Sequence, residues 1–177
     1  MAQKDLYGRI QSFLTRRESA SYFWKLRTQA QHKNALIRYW ARLRYHNLMV
    51  RSGAGIPYMT RIDGLPEFPH GLTGIFMSQG AHIGKNCVIL HQVTIGSNLI
   101  VGSKGYGAPS VGNNVYIGCG AKIIGGVHIG DNVRIGANCV VTEDVPANAT
   151  VVLERPRIIV REGGRELIQS SEIPNAD

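Results

Sequence analysis

Residues 111–141 read VGNNVYIGCGAKIIGGVHIGDNVRIGANCVV, and an aliphatic residue returns at every sixth position of this stretch. A period of six matches neither the 3.6-residue turn of an α-helix nor the two-residue alternation of a β-strand. It is typical of a hexapeptide solenoid, in which three short strands make one triangular coil of about 18 residues. Each aliphatic anchor is predicted to point into the prism, and the glycine that often follows it allows the chain to turn the corner.

The same period occurs earlier in the chain, so the predicted prism extends beyond this stretch. The predicted anchors are Met77, Ile83, Ile89, Ile95, Val101, Val111, Ile117, Ile123, Ile129, Ile135 and Val141. A small or apolar residue four places after many anchors is expected to fill the space beside them: Cys87, Val93, Val115, Ala121, Val127, Val133 and Cys139. Residues 97–110 break the repeat and are predicted to form a protruding loop. Lys104 and Tyr106 in this loop are either contacts for an acceptor molecule or ordinary solvated side chains.

The charge of the chain is concentrated at one end. Residues 1–51 contain 11 Lys and Arg against 2 Asp and Glu, although the whole chain of 177 residues has a net charge of only +8. Apolar and aromatic residues recur there at helical spacing, which predicts two or three amphipathic helices. We therefore divide the chain into a basic α-helical cap (1–52), a β-solenoid (53–157) and a polar C-terminal tail (158–177).

Interleaved arginine and aromatic residues in the cap suit either an anionic membrane surface or a packing surface between subunits. The cap contains no recognised nucleic-acid-binding motif. No apolar run approaches the length of about 20 residues that a membrane-spanning helix needs. The first residues lack the apolar centre of a signal peptide, and the three cysteines form no CxxC pair. These features predict a cytoplasmic protein, with the inner face of the membrane as a further possible location.

Two segments carry a resemblance to a known family. IGKNCVILHQVTIG (83–96) and VGNNVYIGCGAKIIGGVHIGDNVRIGANCVVTEDVP (111–146) resemble the hexapeptide-repeat acyltransferases. The resemblance is greatest to serine acetyltransferases and to the O-acetyltransferases of capsule and exopolysaccharide synthesis. It implies a mainly β fold, a left-handed parallel β-helix. It also implies a homotrimer that binds acetyl-CoA and an acceptor between neighbouring prisms.

Acetyl transfer from a thioester to a hydroxyl needs a general base, and histidine suits this role. His70 and His91 are the candidates among six histidines, because both stand two places after an anchor if Phe68 is one. They would then project from the same face of adjacent coils, about 5 Å apart. Two imidazoles at this distance repel each other when both are protonated, which keeps a base neutral.

The resemblance favours His70 as the base, with His91 as the second choice or as a residue that positions the acceptor. A turn histidine that bonds only to backbone is the alternative for His70. Asp63 or Glu67 is a candidate to orient its imidazole. The resemblance also implies an acetyl-CoA groove beside Cys119, Ala121, Ala137 and Thr142, with Arg157 near the adenosine phosphates. For Ala121, filling a corner of the core is the alternative.

Three departures from serine acetyltransferases bear on the acceptor. Pro69 replaces the aspartate that precedes their catalytic histidine, Gly55 aligns near their second carboxylate, and Ala108 replaces a second histidine. We therefore expect a glycan hydroxyl as the acceptor, with free serine as the alternative. A catalytically silent scaffold is a third possibility. A metal-dependent hydratase on the same prism needs three metal-binding histidines, two of them close together in sequence. This sequence has no such close pair, so we expect no metal.

Overall fold

The computed structural model describes residues 20–155 and residue 158, and it confirms the predicted left-handed parallel β-helix with an N-terminal helical cap. Two helices are described, α1 over residues 20–29 and α2 at Ala35–Ser52. The apolar positions predicted to be helical before residue 20, Arg157 and all of the predicted tail except Ile158 lie outside the described residues.

In the part of the chain that the structure describes, twelve strands follow the helices. Each has only two or three residues, because the chain turns a corner after each buried anchor. They are β1 (Arg61–Ile62), β2 (Phe76–Met77), β3 (His82–Ile83), β4 (Val88–Ile89), β5 (Thr94–Gly96), β6 (Ser110–Val111), β7 (Tyr116–Ile117), β8 (Lys122–Ile124), β9 (His128–Ile129), β10 (Arg134–Ile135), β11 (Val140–Val141) and β12 (Thr150–Val151). They form three parallel sheets, one on each side of the prism: sheet I (β1-β3-β6-β9), sheet II (β4-β7-β10-β12) and sheet III (β2-β5-β8-β11).

The interior of the prism is built from the predicted anchors. Ten of the eleven are buried and stack in register from coil to coil, as in the pairs Ile89 with Ile117 and Ile117 with Ile135. The seven residues predicted to fill the space beside the anchors are buried as well. Phe68 is also an anchor, because its neighbour Glu67 pairs with Val88 in the next coil.

The prediction that Val101 is an anchor is wrong. Val101 is 85% exposed and lies in the protruding loop, and the chain re-enters the core at Val111. The loop is closed at its base by Asn98 and Gly107, whose N–H and carbonyl groups bond to each other at 2.8 and 2.9 Å. Hydrogen bonding between these two residues brings the chain back to the prism, so the spacing of six resumes only after the loop.

One corner of the prism, between sheets I and II, is turned by asparagine instead of glycine. Asn86, Asn114, Asn132 and Asn148 stand there with φ between 55° and 62°, a conformation that asparagine adopts more readily than most residues. The amide nitrogens of the first three donate to the amide oxygen of the asparagine in the next coil, at 3.3, 3.2 and 2.9 Å. The resulting asparagine ladder ties successive coils together in one register.

The helical cap and the first coil share one hydrophobic core. Phe23 of α1 packs edge-on against Phe68 and lies against Tyr45 of α2, with ring centroids 5.7 and 5.8 Å apart. The Tyr45 hydroxyl donates to the carbonyl oxygen of Ile56 at 2.7 Å, and burial raises the pKa of Tyr45 well above its usual value. The cap therefore packs directly against the segment that leads to His70.

Capping residues define α2. The side chain of Asn34 accepts hydrogen bonds from the first turn, and Gly53 ends the helix with φ 56°. Within the described part of the chain, neither helix is long and apolar enough to cross a membrane.

Candidate active site

His70 lies on an expanded corner between sheets II and III. Phe68 and Met77 are nine positions apart where six are usual, and a series of turns over residues 69–74 holds the additional residues. Gly71 and Gly74 have φ of 70° and 65° there, which L side chains rarely adopt. Thr73 accepts a hydrogen bond from the backbone N–H of Gln92 at 2.9 Å, so the expanded corner is bonded to the coil that carries His91.

His70 and His91 are in direct contact. Their Nδ1 atoms are 2.8 Å apart and their ring centroids 4.8 Å apart. His70 is exposed and His91 is half-buried. The structure therefore brings together the two histidines that the repeat pattern predicted to stack on adjacent coils.

This contact restricts how the pair holds protons. One Nδ1 donates and the other accepts, so the accepting nitrogen carries no proton while the bond exists. When His70 is the donor and neutral, its Nε2 holds a lone pair and can accept a proton. A charge gained there is then stabilised by the hydrogen bond to His91.

The predicted role of Asp63 in orienting His70 is not realised. Asp63 follows β1 of sheet I, and its carboxylate contacts His82 Nε2 at 2.7 Å and Arg61 Nε at 3.2 Å. Among the described residues, no hydrogen bond joins His70 to Asp63 or to Glu67, the other candidate. The partner of the His70 imidazole is a second imidazole.

We expect Asp63 to contribute to acid stability. Its hydrogen bond with His82, supported by Arg61, lowers the pKa of Asp63 in the folded chain. A carboxyl group with a lowered pKa stabilises the fold above its unfolded pKa of about 4, and this contribution is lost as the pH falls through the folded value. Asp63→Asn should flatten the acid limb of a plot of melting temperature against pH. His82→Ala should do the same in large part, and an unchanged acid limb in both variants would contradict this role.

Four predicted site residues form one column. His70, His91, Cys119 and Ala137 each stand two places after a buried anchor, on successive coils. Backbone hydrogen bonds connect the column, from Gly120 N–H to His91 O at 3.0 Å and from Asn138 N–H to Cys119 O at 2.8 Å. We call this edge the histidine corner. Cys119 is half-buried and Ala137 exposed, so both are accessible on the edge that continues from the histidine pair.

The remaining predicted contacts lie elsewhere. The side chain of Ala121 is fully buried, and its backbone N–H and carbonyl bond to Gly118 and Thr94. Its position therefore favours the alternative that Ala121 fills a corner of the core. Thr142 follows β11, at the other edge of sheet III, and Arg157 is outside the described residues. The loop with Lys104 and Tyr106 leaves the prism at that same edge, between sheets III and I, and Lys104 contacts Glu143 at 3.5 Å.

Lys122 is a residue of the histidine corner that the sequence analysis missed. Its ammonium donates to the carbonyl oxygens of Gln92 at 2.9 Å and Gly120 at 2.8 Å, next to His91 and Cys119. An ammonium has three donors, and within the described chain the third makes no hydrogen bond. The only signal in the sequence is a lysine at the first, outward position of a strand, which is an ordinary place for a solvated charge.

The cysteines do not form a metal or disulfide site in the described chain. Cys87 and Cys139 are buried in the prism, and burial raises the pKa of the Cys87 thiol. All three cysteines are free, and the described residues contain no group of three or more His, Cys, Asp or Glu side chains arranged to hold a metal ion.

Comparison with known proteins agrees with this architecture. The family model described as bacterial transferase hexapeptide (six repeats) matches residues 108–143. A serine acetyltransferase of Mycobacterium tuberculosis is 36% identical over 124 residues, which are 66% of this chain and 53% of that protein. A serine acetyltransferase of Synechococcus elongatus is 39% identical over 61% of this chain and 43% of its own length. The chain thus spans about half the length of these curated relatives.

Comparison with solved structures also gives serine acetyltransferases as similar proteins. Soybean serine acetyltransferase complexed with serine matches 80% of this chain and 56% of its own length, with a TM-score of 0.62 and 30% identity. Serine acetyltransferase isoform 3 of Entamoeba histolytica in complex with cysteine matches 86% of this chain and 63% of its own, with a TM-score of 0.59 and 26% identity. The predicted resemblance to serine acetyltransferases is confirmed. These relatives favour the serine alternative and give no support to a polysaccharide acceptor.

Proposed function

We propose that this hexapeptide-repeat chain, which resembles the serine acetyltransferases, is an acetyl-CoA-dependent O-acetyltransferase whose acceptor is the hydroxyl of L-serine. The observation that carries the proposal is the contact between His70 and His91 on a corner whose next two coils present Cys119 and Ala137. A direct transfer from a thioester to a hydroxyl requires a base and an accessible surface beside it for the donor.

In the proposed reaction His70 acts as the base. Its Nε2 accepts the proton of the acceptor hydroxyl while that oxygen bonds to the carbonyl carbon of the acetyl thioester. The carbon–sulfur bond breaks, and the electron pair leaves on sulfur. The imidazolium then gives its proton to that sulfur, so the products are CoA and the O-acetyl ester. His91 orients His70 through Nδ1 and shares the positive charge that His70 gains.

The proposed acetyl-CoA site follows the histidine corner toward the C-terminal coils. Cys119 and Ala137 leave room along this edge, and neighbouring backbone N–H groups are suited to polarise the thioester carbonyl. We expect no metal in this reaction, since the histidine pair supplies the proton transfer. Arg157 remains the predicted contact for the adenosine phosphates.

A homotrimer would complete this site. Within one chain, Thr142 and the loop with Lys104 and Tyr106 lie at the edge of sheet III away from the histidine corner. The loop tip carries three exposed aliphatic residues, Leu99, Ile100 and Val101. A neighbouring prism that presents this loop would bury the aliphatic tip and bring the loop and Thr142 to the histidine corner.

Lys122 supports a serine acceptor. The acceptor carries a carboxylate, and the Lys122 ammonium is held by the carbonyl oxygens of Gln92 and Gly120, the residues that follow His91 and Cys119. A cation at this position can pair with the carboxylate of serine, a group that a neutral sugar lacks.

A glycan acceptor is the second candidate, and the position of Gly55 favours it. A side chain at position 55 would begin 2.6 Å from the ring of Phe76, so the carboxylate that serine acetyltransferases have nearby could be placed here only if that ring moved. Pro69 and Ala108 remove two further polar groups from the acceptor side.

Thiol release from acetyl-CoA tests the two acceptors. We expect release with L-serine and formation of O-acetylserine, but little release with a panel of glycans and nucleotide sugars. D-serine is the matched control, because it has the same charge and hydroxyl with the opposite arrangement. Release with glycans alone would contradict the serine acceptor and favour a glycan acceptor. The absence of release in every arm would favour the scaffold alternative.

A further inference from the structure

We propose that the outward side of α2 docks on the surface of an anionic lipid bilayer. This inference concerns the helical cap and is independent of the proposed catalytic activity. It assigns an occupant to the exposed side of this helix.

α2 has two apolar sides. Ala41, Tyr45 and Met49 are buried at a spacing of four and pack toward the first coil. The opposite side is formed by Leu36, Tyr39, Trp40, Leu43 and Val50, which we call the outer face. These residues are separated by three, four or seven positions, so their side chains form one stripe of the helix, about 180° from the buried residues.

The outer face is well exposed. Leu36 is 68% exposed, Val50 65%, Tyr39 59% and Trp40 56%. Tyr39 and Trp40 lie edge to face, with ring centroids 5.8 Å apart. Tryptophan and tyrosine are enriched at membrane–water interfaces, where one end of the side chain is apolar and the other is hydrated.

The charge around the outer face is uniformly positive. Residues 20–62 contain eight Lys and Arg and no Asp or Glu. Arg44 and Arg51 are exposed on α2 beside the outer face, and within the described chain neither pairs with an acidic side chain. Basic residues beside an exposed aromatic stripe are the composition of helices that lie in an anionic membrane interface.

This charge favours lipid over a symmetric contact between two copies of the chain. A symmetric contact between two outer faces would place arginines against arginines, with no acidic residue from α1 or α2 to neutralise them. An anionic bilayer supplies both the apolar layer for Trp40 and Leu43 and the phosphates for Arg44 and Arg51.

Vesicle flotation of the full chain tests the proposal. We expect the chain to float with vesicles of equimolar phosphatidylcholine and phosphatidylglycerol, and to stay at the bottom with phosphatidylcholine alone. Salt should weaken this binding, because it screens the arginines. In a Trp24→Phe background, Trp40 is the only tryptophan, and its fluorescence should shift to the blue with anionic vesicles.

Two double variants separate the contribution of the arginines from that of the apolar side chains. Arg44→Gln with Arg51→Gln should weaken partitioning about thirtyfold, and Trp40→Gln with Leu43→Gln at least about tenfold. The matched control is Lys85→Gln with Arg134→Gln, which removes the same charge from exposed sites on the prism and should bind like the wild type. Equal loss in this control would show attraction by net charge alone and would overturn the proposal. Analytical ultracentrifugation is the second readout. A fall in molecular mass for Trp40→Gln with Leu43→Gln, without wild-type vesicle binding, would assign the outer face to a second copy.

Discussion

His70→Ala should lower kcat for acetyl transfer about 10²- to 10⁴-fold, the range expected when a general base is removed. The proposed base lies outside the core and is exposed, so we expect this variant to fold like the wild type. Acetyl-CoA binding, measured by calorimetry, should be unchanged, since Cys119 and Ala137 lie on later coils. Retained kcat would show that His70 is not the base.

His91 provides the control for this assignment. A glutamine at position 91 can still donate to or accept from His70 Nδ1, whereas alanine cannot. We therefore expect His91→Gln to keep more activity than His91→Ala, and both to keep more than His70→Ala. A loss of kcat in His91→Gln as large as that in His70→Ala would favour His91 as the base.

Ile117→Ala should lower the free energy of unfolding by about 2–5 kcal/mol, the range for large-to-small changes in a core. Ile117 is fully buried at the middle of sheet II, where it stacks between Ile89 and Ile135. The two coils cannot move closer to each other to fill the cavity, because the next coil already contacts Gly118. A Cβ added there would lie 2.6 Å from Ala137 N. Denaturant unfolding measures the loss.

Val140→Ala is the control for this measurement. Val140 is also an aliphatic strand residue of the repeat, but it points outward and is 63% exposed. We expect a change within about 0.5 kcal/mol. Equal losses at positions 117 and 140 would mean that the inward anchors do not carry the stability of the prism.

The repeat pattern was sufficient to predict most of the fold. Whether an anchor points inward depends only on its position in the six-residue repeat, and this position can be read from the sequence. Val101 shows where this reasoning fails, since it continues the spacing of six and is followed by Gly102, as many anchors are followed by glycine. The bonds between Asn98 and Gly107 exclude it from the prism, and such a closure leaves no periodic signal.

The candidate site was predictable to the extent that it depends on coil register. Register places His70 over His91 once Phe68 is an anchor. It does not show that their Nδ1 atoms meet, nor that Asp63 instead contacts His82, because these contacts depend on rotamers. Lys122 was missed for the same reason, since its side chain reaches back along the corner to two carbonyl groups.

The closure of the protruding loop at Asn98 and Gly107 has an evolutionary consequence. The chain leaves and rejoins the prism at one point, so residues can be gained or lost between them without displacing any anchor. An insertion inside a strand, such as between Tyr116 and Ile117, would instead displace an anchor from the core. Descendants of this sequence can therefore exchange the loop, and the contacts it makes with other molecules, while they inherit the coils unchanged.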